Sequence, residues 1–339
     1  MKDEKQLLDL MTTPGEALTD FMRSLKGDLL VLGAGGKMGP SLCRLAARAS
    51  QAAGTKTRIM AVSRFSDAAA AKELTDAGIE TISADLMDDA ALAALPTADN
   101  VIYMAGRKFG TSGGGESLTW AMNAYLPGRV AQRFASSRIV AFSTGNVYPF
   151  EPIVHGGVHE DVTPGPVGEY AQSCYGRERI FEHFSRVNKT PVALYRLAYA
   201  IDMRYGVLHD IAAAVYEDRP IRVDMGVFTC IWQGDANDWA IRSLDLCASP
   251  AAAINATGPE TLSIRDVALE FGQLFGKTPV FEGEERSEAM LLSARKACGL
   301  FGYPSVPVAK LMAWTADWIK QGGTAWDKPT HFEEIKGKY

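Results

Sequence analysis

Short apolar runs recur along the first two hundred residues. Each is followed by a longer stretch whose apolar residues return every three or four positions. Residues 28–33 (DLLVLG), 57–64 (TRIMAVSR), 79–85 (IETISAD), 100–106 (NVIYMAG), 138–144 (RIVAFST) and 191–197 (PVALYRL) have the length and apolar content of buried strands. Residues 37–49, 67–78, 88–95, 120–134 and 171–187 predict the helices between and around them. Strands without a polar face, alternating with helices, predict a parallel sheet covered on both sides. This is a doubly wound α/β fold.

The flanks read differently. Thr13-Pro14-Gly15-Glu16 predicts a helix start, with the threonine as cap and the glutamate closing a capping box. That helix runs to residue 25, and Gly27 ends it. Beyond residue 197 the rhythm loosens. Residues 235–246 predict a helix, 252–258 a short strand, 262–276 a helix capped by Ser263, and 306–323 a helix with Trp314 and Trp318 stacked one turn apart. The expected organisation is an N-terminal helical extension (1–26), a sheet domain (27–200) and a smaller C-terminal lobe (201–339). Some elements of the lobe are expected to pack back on the sheet. The stretch GTSGGGES at 110–117 reads as a mobile loop.

Composition narrows the class. The 339 residues are 47% hydrophobic and 22% charged, enough apolar material for a sizeable core. A net charge of −5 argues against wholesale binding to nucleic acid or anionic membranes. No run approaches the length of a membrane-spanning helix, and the N-terminus lacks the apolar segment of a secretory signal. The five cysteines are scattered and form no CxxC pair, so reduced thiols in a cytoplasm are expected and structural zinc is not. His155 and His159 are separated by glycines, which argues against a helical metal pair.

The first candidate chemistry lies in LGAGGKMG. Gly33, Gly36 and Gly39 follow the first strand at three-residue spacing and lead into a helix, with Lys37 and Met38 between the last two. Glycines there allow a sharp turn and close approach to a diphosphate, and the helix N-terminus adds free N–H groups. The second strand ends in Ser63-Arg64, where an arginine suits a 2′-phosphate better than a 2′-hydroxyl, so NADP is favoured over NAD.

With this turn the chain resembles the extended short-chain dehydrogenase/reductases, the NAD-dependent epimerase/dehydratase group, over most of its length. The resemblance implies a Rossmann-type dinucleotide-binding domain at 27–200 and a substrate lobe after it. It implies an adenine-side role for Asp85-Leu86 and a place under the nicotinamide ribose for Ala105-Gly106. It makes Asn123 a helix asparagine supporting the cofactor side of the site. FSTGNVYPF at 142–150 resembles the family's SSxxVYG strand end, which puts Thr144 at the hydroxyl that bonds the substrate oxygen.

A catalytic phenol must also be found. Its pKa near 10 has to fall by about three units, or about 4 kcal/mol, for it to act as a base at neutral pH. A cation about 4 Å away supplies roughly that much. The family's cation is a lysine four residues after the tyrosine, and two registers of PVGEYAQSCYGRERIFEHF compete for this pattern. With Tyr170 as the phenol, Pro166, Ser173 and Glu178 match the family, but Cys174 stands at the lysine and Arg177 must supply the charge. With Tyr175 as the phenol, Arg179 stands at the lysine, but the other matches are lost. Either way the lysine is missing.

Arg196, Arg204 and Arg222 are surface or salt-bridge residues that could face an anionic substrate. The expected function is an NAD(P)-dependent epimerase, dehydratase or reductase acting on a sugar-like or other hydroxyl/carbonyl small molecule. The alternative is a catalytically impaired NAD(P)-binding sensor on the same fold. No metal, nucleic-acid or membrane partner is expected, and the family resemblance implies a possible homodimer.

Overall fold

The computed structural model describes residues 1–108, 113–326, 328 and 330–337. Seven strands build the central sheet: β1 (Leu29–Leu32), β2 (Ile59–Ser63), β3 (Glu80–Ser83), β4 (Asn100–Tyr103), β5 (Arg138–Thr144), β6 (Val192–Leu197) and β7 (Ala252–Ala256). Their order is β7-β6-β5-β4-β1-β2-β3, and every pairing is parallel. The chain reverses direction across the sheet between β1 and β4. In open α/β sheets a crevice forms at the carboxyl ends of the strands on either side of such a reversal.

The helices are α1 (Glu4–Met11), α2 (Glu16–Ser24), α3 (Gly39–Ala53), α4 (Ala68–Asp76), α5 (Asp89–Ala94), α6 (Glu116–Trp120), α7 (Leu126–Arg133), α8 (Gly168–Asn188), α9 (Val207–Tyr216), α10 (Gln233–Arg242), α11 (Ile264–Phe275), α12 (Arg295–Phe301) and α13 (Val308–Lys320). Alternate residues of the strands feed two cores. Leu29, Val31, Val140 and Tyr195 pack against α2, α3 and α10. Leu30, Leu32, Val101 and Tyr103 pack against α5, α7 and α8 on the other face. A third core gathers Leu208, Phe271 and Trp318 from α9, α11 and α13, together with Leu7 and Met11 of α1.

Several local expectations are corrected. The capping box at Thr13 does not form. Gly15 precedes α2 without a side-chain cap, and the Thr13 hydroxyl instead donates back to the Asp9 carbonyl. An extra helix, α1, begins at Asp3, whose carboxylate accepts from the Gln6 N–H. Residues 252–256, read as a short strand with no place assigned, form the outer strand of the main sheet beside β6, one of the elements after residue 200 that pack back on the sheet. Trp314 packs edge-on against Trp232 while the Trp318 indole donates to the Thr324 carbonyl, so these two rings serve different neighbours. Residues 110–112 of the expected loop lie outside the described residues, and Glu116 and Ser117 already belong to α6. Ser263 caps α11 as expected, accepting from the Asp266 N–H.

Candidate active site

The glycine turn is a packing solution as much as a chemical one. Gly33 has φ +88°, and a Cβ there would lie 2.6 Å from the Ala105 backbone nitrogen, where the turn meets the end of β4. A Cβ on Gly39 would lie 2.3 Å from the Ala34 carbonyl oxygen, so α3 can start close under the turn only with glycine. Gly33 and Gly36 border a cavity of about 320 Å³ at the carboxyl ends of β1, β2 and β4. Ser63, Arg64, Asp85, Leu86, Ala105 and Gly106 border the same cavity. Arg64 and Asp85 are exposed at its rim, and Asp85 also accepts from the Met87 N–H at 2.9 Å. Glycines in the lining, a helix N-terminus beside it and Arg64 at the rim suit a dinucleotide.

Lys37 and Met38 belong to the same turn but border a different space. A second cavity, of about 160 Å³, lies past the ends of β5 and β6 and is bordered by Lys37, Met38, Lys108, Thr144 and Tyr170. Thr144 closes β5 because its hydroxyl caps the turn that follows, accepting from the Asn146 N–H at 3.2 Å. It also forms a hydrogen bond with the Tyr170 phenol. Burial raises the Tyr170 pKa well above its usual value, with the neighbouring Cys174 adding to the rise; the charge of Arg177 only partly offsets this. Tyr175 borders neither cavity. Arg179 is exposed, ion-paired to Glu182 at 2.8 Å, with its guanidinium 5.7 Å from the Tyr175 ring. The geometry therefore joins Thr144 to Tyr170 and leaves Tyr175 and Arg179 outside.

Beside Tyr170, Cys174 fills the family's lysine position. It is buried, hydrogen-bonded to the phenol, and its own pKa is raised by burial. Arg177 does not enter the cavity either. Its Nη1 donates to the Phe142 carbonyl at 2.7 Å, and its Nη2 donates to Asn123 Oδ1 at 2.9 Å. It acts as a fixed charge behind the phenol while holding the main chain in place, because a planar fork can meet several fixed oxygens at once. Asn123 is turned inward by a π-helical turn at Ala121–Tyr125. It grips residue 107 at both ends, accepting from its N–H at 2.7 Å and donating to its carbonyl at 2.9 Å.

Two features were not foreseen in the sequence. The first is a buried network in which Arg196 grips Glu178 through Nη2 (2.7 Å) and Nε (3.0 Å) and donates to the Tyr148 hydroxyl at 2.6 Å. Tyr148 then donates to Asn255 Oδ1 at 2.9 Å. Glu178 also accepts from Ser143, so this network braces β5 immediately before Thr144. Its members had separate signals, Glu178 and Tyr148 in the family pattern and Arg196 as a salt-bridge residue, but nothing in the sequence joined them. The second feature is the lysine pair. Burial pulls Lys37 down to about 7, against the opposing pull of Asp202, and pulls Lys108 down to about 8, against that of Asp210. Nothing in the spacing of Lys108 marks it. Among the described residues no cluster of side chains could hold a metal ion.

The sequence pattern of the NAD dependent epimerase/dehydratase family matches residues 29–201, just over half of the chain. The chain belongs to that family. Among solved structures it is similar to the UDP-glucuronic acid 4-epimerase of Bacillus cereus in complex with NAD, at 18% identity and TM-score 0.71, covering 87% of this chain and 99% of that one. It is also similar to the Thermus thermophilus UDP-glucose 4-epimerase complex with NAD, at 16% identity and TM-score 0.68, covering 86% and 99%. The Thermotoga maritima UDP-glucose 4-epimerase with UDP-glucose aligns at 14% identity and TM-score 0.68, covering 87% and 99%. These likenesses confirm the fold. Among curated proteins none matches the sequence. No helix among the described residues is long and apolar enough to cross a membrane.

Proposed function

We propose that the chain is a nicotinamide-dinucleotide-dependent epimerase or dehydratase acting on a hydroxyl-bearing carbon of a sugar-like small molecule. The observation that carries this reading is the Thr144–Tyr170 hydrogen bond in a cavity neighbouring the glycine turn. The glycine turn, with Ser63, Arg64, Asp85 and Leu86, would hold the dinucleotide. When bound, the nicotinamide supplies a hydride acceptor or donor at the substrate carbon. The solved relatives carry NAD. Arg64 argues for the 2′-phosphate of NADP in this chain, and the ratio of NADPH to NADH affinity in wild type and Arg64→Ala decides it.

The protein's own residues handle the oxygen proton. Thr144 orients the substrate oxygen and Tyr170 exchanges the proton with it. With its pKa raised, the phenol is protonated at neutral pH, so it is ready to donate to a carbonyl oxygen. Acting as a base requires added positive charge beyond that of Arg177. Residues 27–200 would form the cofactor side and most of 201–339 the substrate side. A groove of about 480 Å³ meets the reaction cavity at Tyr205 and has room for a substrate's distal part.

A substrate screen on the purified chain, followed by the absorbance of the reduced cofactor and by product analysis, tests the reading. Thr144→Ala and Tyr170→Phe should each lower kcat by about 10²- to 10³-fold. Turnover that survives both changes removes these roles. A cofactor-binding sensor is the second reading, favoured by Cys174 at the lysine position. Tight dinucleotide binding without turnover on any hydroxyl or carbonyl substrate supports it.

A further inference from the structure

We propose that residues 330–337, which follow α13, form a strap that shuts the reaction cavity off from the neighbouring groove and must lift for a substrate to enter. The inference rests on the reaction-site reading above. The cavity bordered by Thr144 and Tyr170 holds about 160 Å³. Small-molecule sites start at roughly 300 Å³, so a sugar-sized substrate needs one wall to give way. The groove of about 480 Å³ lies beside it, and Tyr205 borders both spaces. The strap runs between them. Thr330 borders the cavity, while Phe332 and Glu333 border the groove.

The cavity's other walls are built on regular elements. Thr144 ends a strand of the central sheet, and Tyr170 stands in the first turn of α8. The strap contains neither helix nor strand and is held at separate points. Upstream of it, the Trp326 N–H donates to the Arg204 carbonyl at 3.1 Å, and the Arg204 guanidinium lies 4.6 Å from the centre of the Trp326 ring. Thr330 donates its N–H (2.8 Å) and its hydroxyl (2.6 Å) to one oxygen of Asp210 on α9. Asp210 borders the groove, so these two hydrogen bonds bar the way between the two spaces. Phe332 is buried in the core of the lobe, and Ile335 packs against Met225, Ala289 and Leu291. Gly337 meets the start of α8, two residues before Tyr170, where a Cβ on it would lie 2.3 Å from the Val167 carbonyl oxygen. A segment held by a few side chains, outside any backbone ladder, opens at a fraction of the cost of global unfolding.

Access to the cavity can be read without a substrate. Thr144→Cys places a thiol at the reaction site, and its alkylation by iodoacetamide is followed on the full chain by peptide mass spectrometry. Cys298, which borders a separate cavity, is the internal control. With the strap in place, labelling at residue 144 should be slow and nearly insensitive to dilute urea, the mark of a local opening. Thr330→Val takes the hydroxyl from Asp210, and Gly337→Val drives the strap off α8. Each should speed labelling at residue 144 at least ten-fold and leave Cys298 within two-fold. Ala198→Cys borders the same cavity and serves as reporter should Thr144→Cys not fold. Labelling at the rate of the unfolded chain before any strap change, labelling only through global unfolding, no acceleration in either strap variant, or an equal acceleration at Cys298 would overturn the strap. The urea dependence needs no strap variant, so it decides even where both variants melt. A strap-gated cavity in a chain that turns over no hydroxyl or carbonyl compound would uphold the strap and sink the reaction reading. Turnover in a cavity open from the start would do the reverse.

Discussion

Arg177 donates to Asn123 Oδ1 at 2.9 Å, and the same oxygen accepts from the Arg107 N–H at 2.7 Å. One buried guanidinium therefore ties α8 to the π-helical turn and, through the Phe142 carbonyl, to β5 two residues before Thr144. Arg177→Met takes a donor from each of these oxygens in a buried seam and leaves Asn123 Oδ1 with the Arg107 N–H alone. It should cost about 3 kcal/mol of unfolding free energy by denaturant titration. Arg177→Lys should recover less than half of that, because an ammonium cannot span the same oxygens. Full recovery by lysine would show that charge alone matters at this position.

Restoring the family's lysine should not improve the site. Cys174 is 1% exposed and lies one helical turn from Arg177. Cys174→Lys puts a second cation into the same seam, where the nearby Glu178 carboxylate is already gripped by Arg196, a change of the kind that costs about 3–5 kcal/mol. The expected outcome is a lower denaturation midpoint and no gain in turnover. A variant that is both stable and faster would show that Arg177 does not stand in for the lysine.

The Lys37 pKa makes a signed prediction about stability. Its folded value of about 7 lies below the unfolded value near 10.4. The unfolded chain therefore holds more protons between those limits, and the folded state gains stability as pH rises through the window. The contribution is complete above about pH 10.4 and is lost as pH falls through 7. Lys37→Met removes this dependence. The stability of wild type relative to the variant should rise by about 1.4 kcal/mol per pH unit across the window, read from parallel denaturant titrations. A flat difference would place the Lys37 ammonium in water.

Most of the fold was legible because it rests on periodicity. Six strands of the sheet stand out as short apolar runs, and Gly33 announces a turn that geometry then requires. What stayed hidden depends on contacts between distant residues. Nothing near residue 252 says that this strand pairs with β6, since its neighbour is set by the whole chain's path. Arg177 reads as one more charge on a helix face, yet α8 buries Arg177 and Glu178 together on its inner side. Lys108 follows the β4 strand without any motif, and its meeting with Lys37 in one cavity is a product of the fold alone.

The central claim is that the turn after β1 binds a dinucleotide, and titration of the purified chain with NADH and NADPH, read by energy transfer from tryptophan to the reduced nicotinamide, tests it most directly. The account predicts saturable one-to-one binding that falls at least ten-fold in Gly33→Ala, where φ +88° and the Ala105 nitrogen 2.6 Å away leave no room for a methyl group. Absence of saturable binding to either coenzyme, or an affinity indifferent to Gly33→Ala in a folded variant, would contradict it.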